Sequence, residues 1–146
     1  MRKLWIVSTT ALFVVAFVGI GAGAAAAKSS NPVSISGKVN AKGKKDVSGK
    51  TSATIEIEQD NYYFGPTFVK ASPGEKITVE LKNEGNTTHT FTSDSLGVDK
   101  ELAPDKTAKV TFTVPSSGTA FEFHCSIHQD LGMQGAVYTK AGGKAS

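Results

Sequence analysis

The sequence predicts an all-β domain, a sandwich or barrel of short strands, and three observations carry that expectation. From Ala53 onward, apolar and polar residues alternate with a period of two. The alternating runs are short, rich in Val, Ile, Thr and Phe, and separated at regular spacing by turns containing Gly, Pro and Asn. No long segment of the domain carries the 3.6-residue periodicity of an amphipathic helix.

The elements follow in order. Residues 53–58 (ATIEIE) alternate, and 62–64 lead into a Gly65-Pro66 turn before Phe68 and Val69. Ser72-Pro73-Gly74 is a turn, and residues 76–82 (KITVELK) alternate without interruption. Residues 83–86 (NEGN) turn the chain into a short strand around His89 and Phe91. Residues 94–105 are the least strand-like and are expected to hold a helical turn. Ala108, Val110, Phe112 and Val114 alternate again, residues 115–118 turn, 119–124 run outward, and 135–138 end the domain.

Composition bounds the chemistry. The chain has 146 residues, 39% apolar and 20% charged, which allows one packed domain of ordinary size. A single cysteine excludes a disulfide framework, a CxxC redox pair, and any zinc, iron–sulfur or binuclear copper site built on several thiolates. There are three histidines and two methionines, one of them the initiator.

The chain divides into three regions. Residues 1–27 begin with Arg2 and Lys3, continue through an apolar run to Ile20, and end in an alanine-rich stretch with an A-x-A pattern. This is the form of a secretory signal peptide, and cleavage would leave 119 residues from Lys28. An uncleaved membrane anchor is the competing reading, because residues 4–27 are long enough to cross a bilayer at ~20 residues per span. Both place the remainder outside the cytoplasm: periplasmic, secreted, or tethered to the outer face of the membrane. Residues 28–51 are rich in Lys, Ser and Gly, have only Val33, Ile35, Val39 and Val47 to bury, and read as a flexible linker. Its six lysines stand against Asp46 alone, a net +5, whereas residues 52–146 carry eight lysines and twelve acids, a net −4. A basic arm on an acidic exported domain suits weak association with anionic lipid and gives no reason to expect nucleic acid.

The residues that carry chemistry are concentrated. His89 stands alone, whereas Cys125, His128 and Met133 form C-x2-H-x4-M. Taken singly, a cysteine or methionine in a β-domain is most often core filler. Together, the only cysteine, two of the three histidines and the only methionine beyond Met1 form the donor set of a blue copper centre. In such a centre two imidazoles and a thiolate lie in a trigonal plane with a weak axial thioether. The spacing works if Cys125 ends one strand, a tight loop carries His128, Met133 starts the next strand, and His89 comes from a neighbour. Zinc is the rival metal, and Met133 counts against it. His124 adjoins Cys125 on a strand, so its side chain points to the opposite face and cannot share the same metal.

Over residues 53–139 the chain resembles the cupredoxins, the small blue copper proteins, most closely their plastocyanin-like branch. The resemblance rests on Cys125, His128 and Met133, on Phe64-Gly65-Pro66-Thr67-Phe68, on Pro73-Gly74-Glu75, and on Asn83 six residues before His89. It implies a Greek-key β-sandwich of about eight strands with one copper at one end, held by His89, Cys125, His128 and Met133. It also implies one-electron transfer between redox protein partners, a donor and an acceptor such as a cytochrome or a copper oxidoreductase, with no bond-making catalysis. Two positions depart from the plastocyanin pattern. Thr90 stands where an asparagine usually ties the two ligand loops together. Ile127 replaces a proline, and its backbone N–H is expected to reach the cysteine sulfur. Extracytoplasmic copper delivery or tolerance is the alternative function; such proteins favour Met-rich or His-rich exchange sites, which this chain lacks.

Overall fold

The computed structural model describes residues 30–146, so the expected leader over residues 1–27 lies outside the described residues. The period-two segments form strands as expected. In β2 (Ser52–Asp60) the buried positions are Ile55, Ile57 and Gln59, with Thr54 and Glu56 turned to solvent. In β5 (Lys76–Asn83) Ile77, Val79, Leu81 and Asn83 are buried. These two strands pair in parallel, with Ile55 opposite Val79 and Ile57 opposite Leu81. The short β3 (Tyr63–Gly65) pairs with β2, and β8 (Thr107–Thr113) pairs with β5, giving one sheet in the order β3-β2-β5-β8.

The second sheet has six strands. They are β1 (Lys44–Asp46), β4 (Phe68–Lys70), β6 (His89–Ser93), β7 (Val98–Leu102), β9 (Ala120–His124) and β10 (Gln134–Tyr138). Their order is β1-β4-β10-β9-β6-β7. Between the sheets lies one large core, and its aromatic centre decides where the functional end sits. Phe64 meets Phe91 and Phe123 edge-on at 5.8 and 5.1 Å, and Phe91 stacks on Phe123 at 4.7 Å. Because side chains two apart on a strand share a face, Phe91 fixes the face of His89. Phe123 does the same for Cys125. Gly135 allows Phe123 to lie flat on β10, since a Cβ there would stand 2.3 Å from the Thr67 carbonyl and 2.5 Å from the Phe123 ring.

Two expectations are corrected. Residues 94–105 were expected to hold a helical turn; instead a turn at 94–97 is followed by β7, the edge strand beside β6. Asp99, Lys100 and Glu101 are all exposed there, so alternation is absent, and an edge carrying charges resists pairing with other chains. With β1, the described residues hold ten strands in two sheets.

The second correction concerns residues 28–51, read as a flexible linker. From Ser30 onward this segment is part of the domain. β1 pairs in parallel with β4, Val47 enters the main core, and Lys70 forms an ion pair with Asp46 at 3.0 Å. Val33 is 2% exposed in a second, smaller core with Phe68, Ala120, Ala136, Tyr138 and Ala145, flanked by Ile35 and Val39. This layer covers the outer face of β10 and explains why all five residues of that strand are buried. The cause lies in the backbone: β4 offers an unpaired edge, and ladder hydrogen bonds there need no apolar periodicity in the partner. The domain therefore does not begin at residue 52.

Truncating Val47 to Ala should lower the free energy of unfolding by about 2 kcal/mol, the cost of removing buried methyl groups from a packed core. Urea denaturation measures it; an unchanged midpoint would return the segment to a loose tether.

Candidate metal centre

His89 opens β6 and is fully buried. The loop before it is organised by the buried Asn83, whose Nδ2 donates to the Thr87 and Leu102 carbonyls at 2.8 and 2.9 Å and whose Oδ1 accepts the Gly85 N–H at 3.0 Å. Cys125 follows the last residue of β9 and is also fully buried. The chain then makes a tight excursion. His128 N–H donates to the Cys125 carbonyl at 3.0 Å, a 3-10 turn occupies Gln129–Leu131, and Gly132 ends it with φ of 96°. Such a left-handed position is one that glycine adopts without penalty. The loop closes where Cys125 N–H donates to the Met133 carbonyl at 3.0 Å, one pair before Gln134 meets His124 in the β9–β10 ladder. Cys125, His128 and Met133 are thus held on one short loop between the end of β9 at His124 and the start of β10 at Gln134.

This brings three donors together. His89 Nδ1 lies 3.2 Å from His128 Nδ1, and the Cys125 sulfur lies 3.9 and 3.4 Å from them. Met133 is fully buried in the core cluster that also contains Cys125. His124 is not in the group; it is half-buried, its Nδ1 3.6 Å from Glu122. Burial, and then the facing His128 ring, lower His89 to about 4, so its ring stays neutral and able to ligate a metal through mildly acidic pH.

The donor chemistry fits copper. The two imidazoles and the cysteine sulfur offer ligand atoms within 4.8 Å of one another, close enough to converge on one soft cation. A thiolate with two imidazoles and a buried thioether selects copper over the hard cations.

Thr90 supplies what an asparagine was expected to supply. Its Oγ1 accepts the Ser126 N–H at 2.8 Å and lies 3.1 Å from the Ser126 hydroxyl, so one side chain ties the β6 strand to the Cys125 loop. The backbone N–H that reaches the cysteine sulfur also belongs to Thr90, at 3.3 Å. The expected bond from Ile127 is not formed among the described residues. Gln59, buried on β2, donates to the Thr90 carbonyl at 3.1 Å and holds that residue from behind. Sequence reasoning missed Tyr62, whose ring packs on His128 at 4.6 Å and meets His89 edge-on at 6.3 Å. Only its place next to Tyr63-Phe64 hinted at it, and that read as a strand.

Comparison with solved structures finds this fold repeatedly. An auracyanin from the photosynthetic bacterium Roseiflexus castenholzii superposes with a TM-score of 0.53 at 22% identity, covering 62% of this chain and 98% of that one. Auracyanin A, a blue copper protein of Chloroflexus aurantiacus, gives 0.52 at 21% identity, covering 61% and 99%. The copper nitrite reductase of Nitrosomonas europaea gives 0.51 at 21% identity, covering 61% of this chain and 41% of that one. At these identities the likeness concerns the fold. A search of curated protein sequences gives no match. The family model of the cupredoxin-like domain matches residues 10–138. The disposition of His89, Cys125, His128 and Met133 is consistent with a single type 1 copper site, and the chain belongs to the cupredoxin family.

Proposed function

We propose that this protein is an extracytoplasmic carrier of single electrons, with one copper held by His89, Cys125, His128 and Met133. One observation supports this reading above the others. Among the described residues the exposed large hydrophobic side chains are Ile127 and Leu131, 53% and 45% accessible, and they flank His128 on either side. His89 and Cys125 are sealed from solvent, whereas His128 is half-buried. The site thus meets the surface through one ligand, inside an apolar rim that a partner can cover at little desolvation cost. Bound copper supplies a one-electron couple between Cu(I) and Cu(II). The chain's residues supply the rest. Thr90 and Asn83 fix the two loops, the aromatic core keeps them from moving, and Thr90 N–H favours an electron-rich sulfur. A frame this constrained limits rearrangement of the donors between oxidation states. Copper delivery, which needs ligands open to exchange, fits the buried His89 and Cys125 less well.

The partners that suit such a rim are a redox donor and a redox acceptor, among them a cytochrome or a copper oxidoreductase. The N-terminal sequence, cleaved or retained, favours a place outside the cytoplasm, and if retained it associates the domain with the membrane.

Replacing Cys125 by Ser should abolish the intense visible charge-transfer band of the copper-loaded protein, because a hydroxyl cannot make the soft covalent bond. A variant that keeps its colour would exclude Cys125 as ligand. Met133→Leu should retain copper and raise the reduction potential, since the thioether stabilises Cu(II) more than Cu(I); a lowered potential in voltammetry would refute the axial role. Ile127→Lys should slow electron self-exchange between oxidised and reduced copies by roughly tenfold, through repulsion at the facing patches, without altering the visible band. An unchanged exchange rate would mean that electrons leave by another face.

A further inference from the structure

We infer that Asn40 is a positioning residue for the metal loop, acting from the segment read in the sequence as a linker; the inference rests on the copper reading of the site. The 3-10 turn that carries the chain from His128 to Met133 leaves the carbonyls of Leu131 and Gly132 at its C-terminal end. Helical turns lack internal partners for such groups. Asn40 meets both: its Nδ2 donates to the Leu131 carbonyl at 2.9 Å, and its backbone N–H donates at 2.9 Å to the Gly132 carbonyl, which also accepts the Gln134 N–H at 3.1 Å. The same Nδ2 donates its second hydrogen to the Tyr62 carbonyl at 2.8 Å. Both neighbours of the amide group are acceptors, so the nitrogen must face them.

Tyr62 is the residue whose ring packs on His128. One side chain therefore fastens the ligand loop and the aromatic cover of its exposed ligand to a common point. Gly132 makes room for it: a Cβ there would lie 3.0 Å from the Asn40 amide group. Asn40 is itself held from both sides. Gln134, next to Met133, donates through Nε2 to the Ser36 and Lys38 carbonyls at 2.8 and 2.6 Å, and the Lys42 N–H donates to Thr67 Oγ1 at 2.6 Å. The strap from 36 to 42 is thus anchored at each end, with Asn40 presented between.

Asn40 thereby opposes the outward movement of the loop that would release the metal, and it sets the seat of Tyr62 against His128. The test compares the full chain with Asn40→Ala, Asn40→Asp and, as a control for general stability, Val47→Ala. Asn40→Asp keeps the shape but turns carboxylate oxygens onto two carbonyls, so it should act more strongly than Asn40→Ala. Copper release to an excess of chelator should be roughly tenfold faster in Asn40→Asp than in the parent, with Asn40→Ala between them. Val47→Ala should release at the parent rate despite its lower melting temperature. In the metal-free proteins, amide hydrogen exchange at residues 131–133 should accelerate in both Asn40 variants. Parent-like release and parent-like exchange in both would overturn the proposal, as would equal acceleration of release in Val47→Ala. If Asn40→Asp does not fold, the same two readouts on Asn40→Ala decide. A parent chain that takes up no copper would refute the copper reading instead, and loop exchange would still judge Asn40.

Discussion

The metal centre depends on one constraint: two pieces of chain far apart in sequence, the start of β6 and the loop after β9, must be held at a fixed separation. Thr90 imposes it. Its hydroxyl accepts the Ser126 N–H, while its own N–H points at the Cys125 sulfur. The two bonds run in opposite directions across the same gap, so neither strand can slide without breaking one of them. Gln59 at the Thr90 carbonyl extends the constraint into the facing sheet. Buried polar groups of this kind are costly when unpaired, which makes the closed arrangement the stable one.

The sandwich serves this arrangement. Phe91 and Phe123 stack directly below His89 and Cys125, so the ligand-bearing strands share one rigid aromatic floor. The second, smaller core on the outer face of β10 then fixes the strand that begins after Met133. The segment from residue 30 to 51 supplies much of that layer. A domain without it would present the apolar outer face of β10 to water, and the Leu131 carbonyl on the metal loop would lose the Asn40 amide that meets it.

The strands and the ligand set were legible in the sequence for different reasons. β2, β5 and β8 each have one face buried, and a period of two is the direct imprint of that burial. The ligands stood out because cysteine, histidine and methionine are scarce here, so their spacing carried information. Other features left no such imprint. β1 is exposed at all three positions and is held by backbone ladder bonds to β4, which any sequence can make. β7 lies at a charged edge, where alternation is lost. Thr90 was flagged as a departure, yet only geometry reveals that a hydroxyl spans the gap in place of an amide. Asn40 and Tyr62 act through contacts across 91 and 66 positions of sequence, and Asn40 lies in a stretch whose composition resembles a tether.

One soft cation bound by both imidazoles and the cysteine sulfur is what electron transfer by this fold requires. X-ray absorption at the copper edge of the loaded protein tests this most directly. It should show a single short sulfur neighbour and two nitrogen neighbours, little changed between the oxidised and reduced forms. A shell of nitrogen and oxygen alone, or one that rearranges widely on reduction, would contradict it.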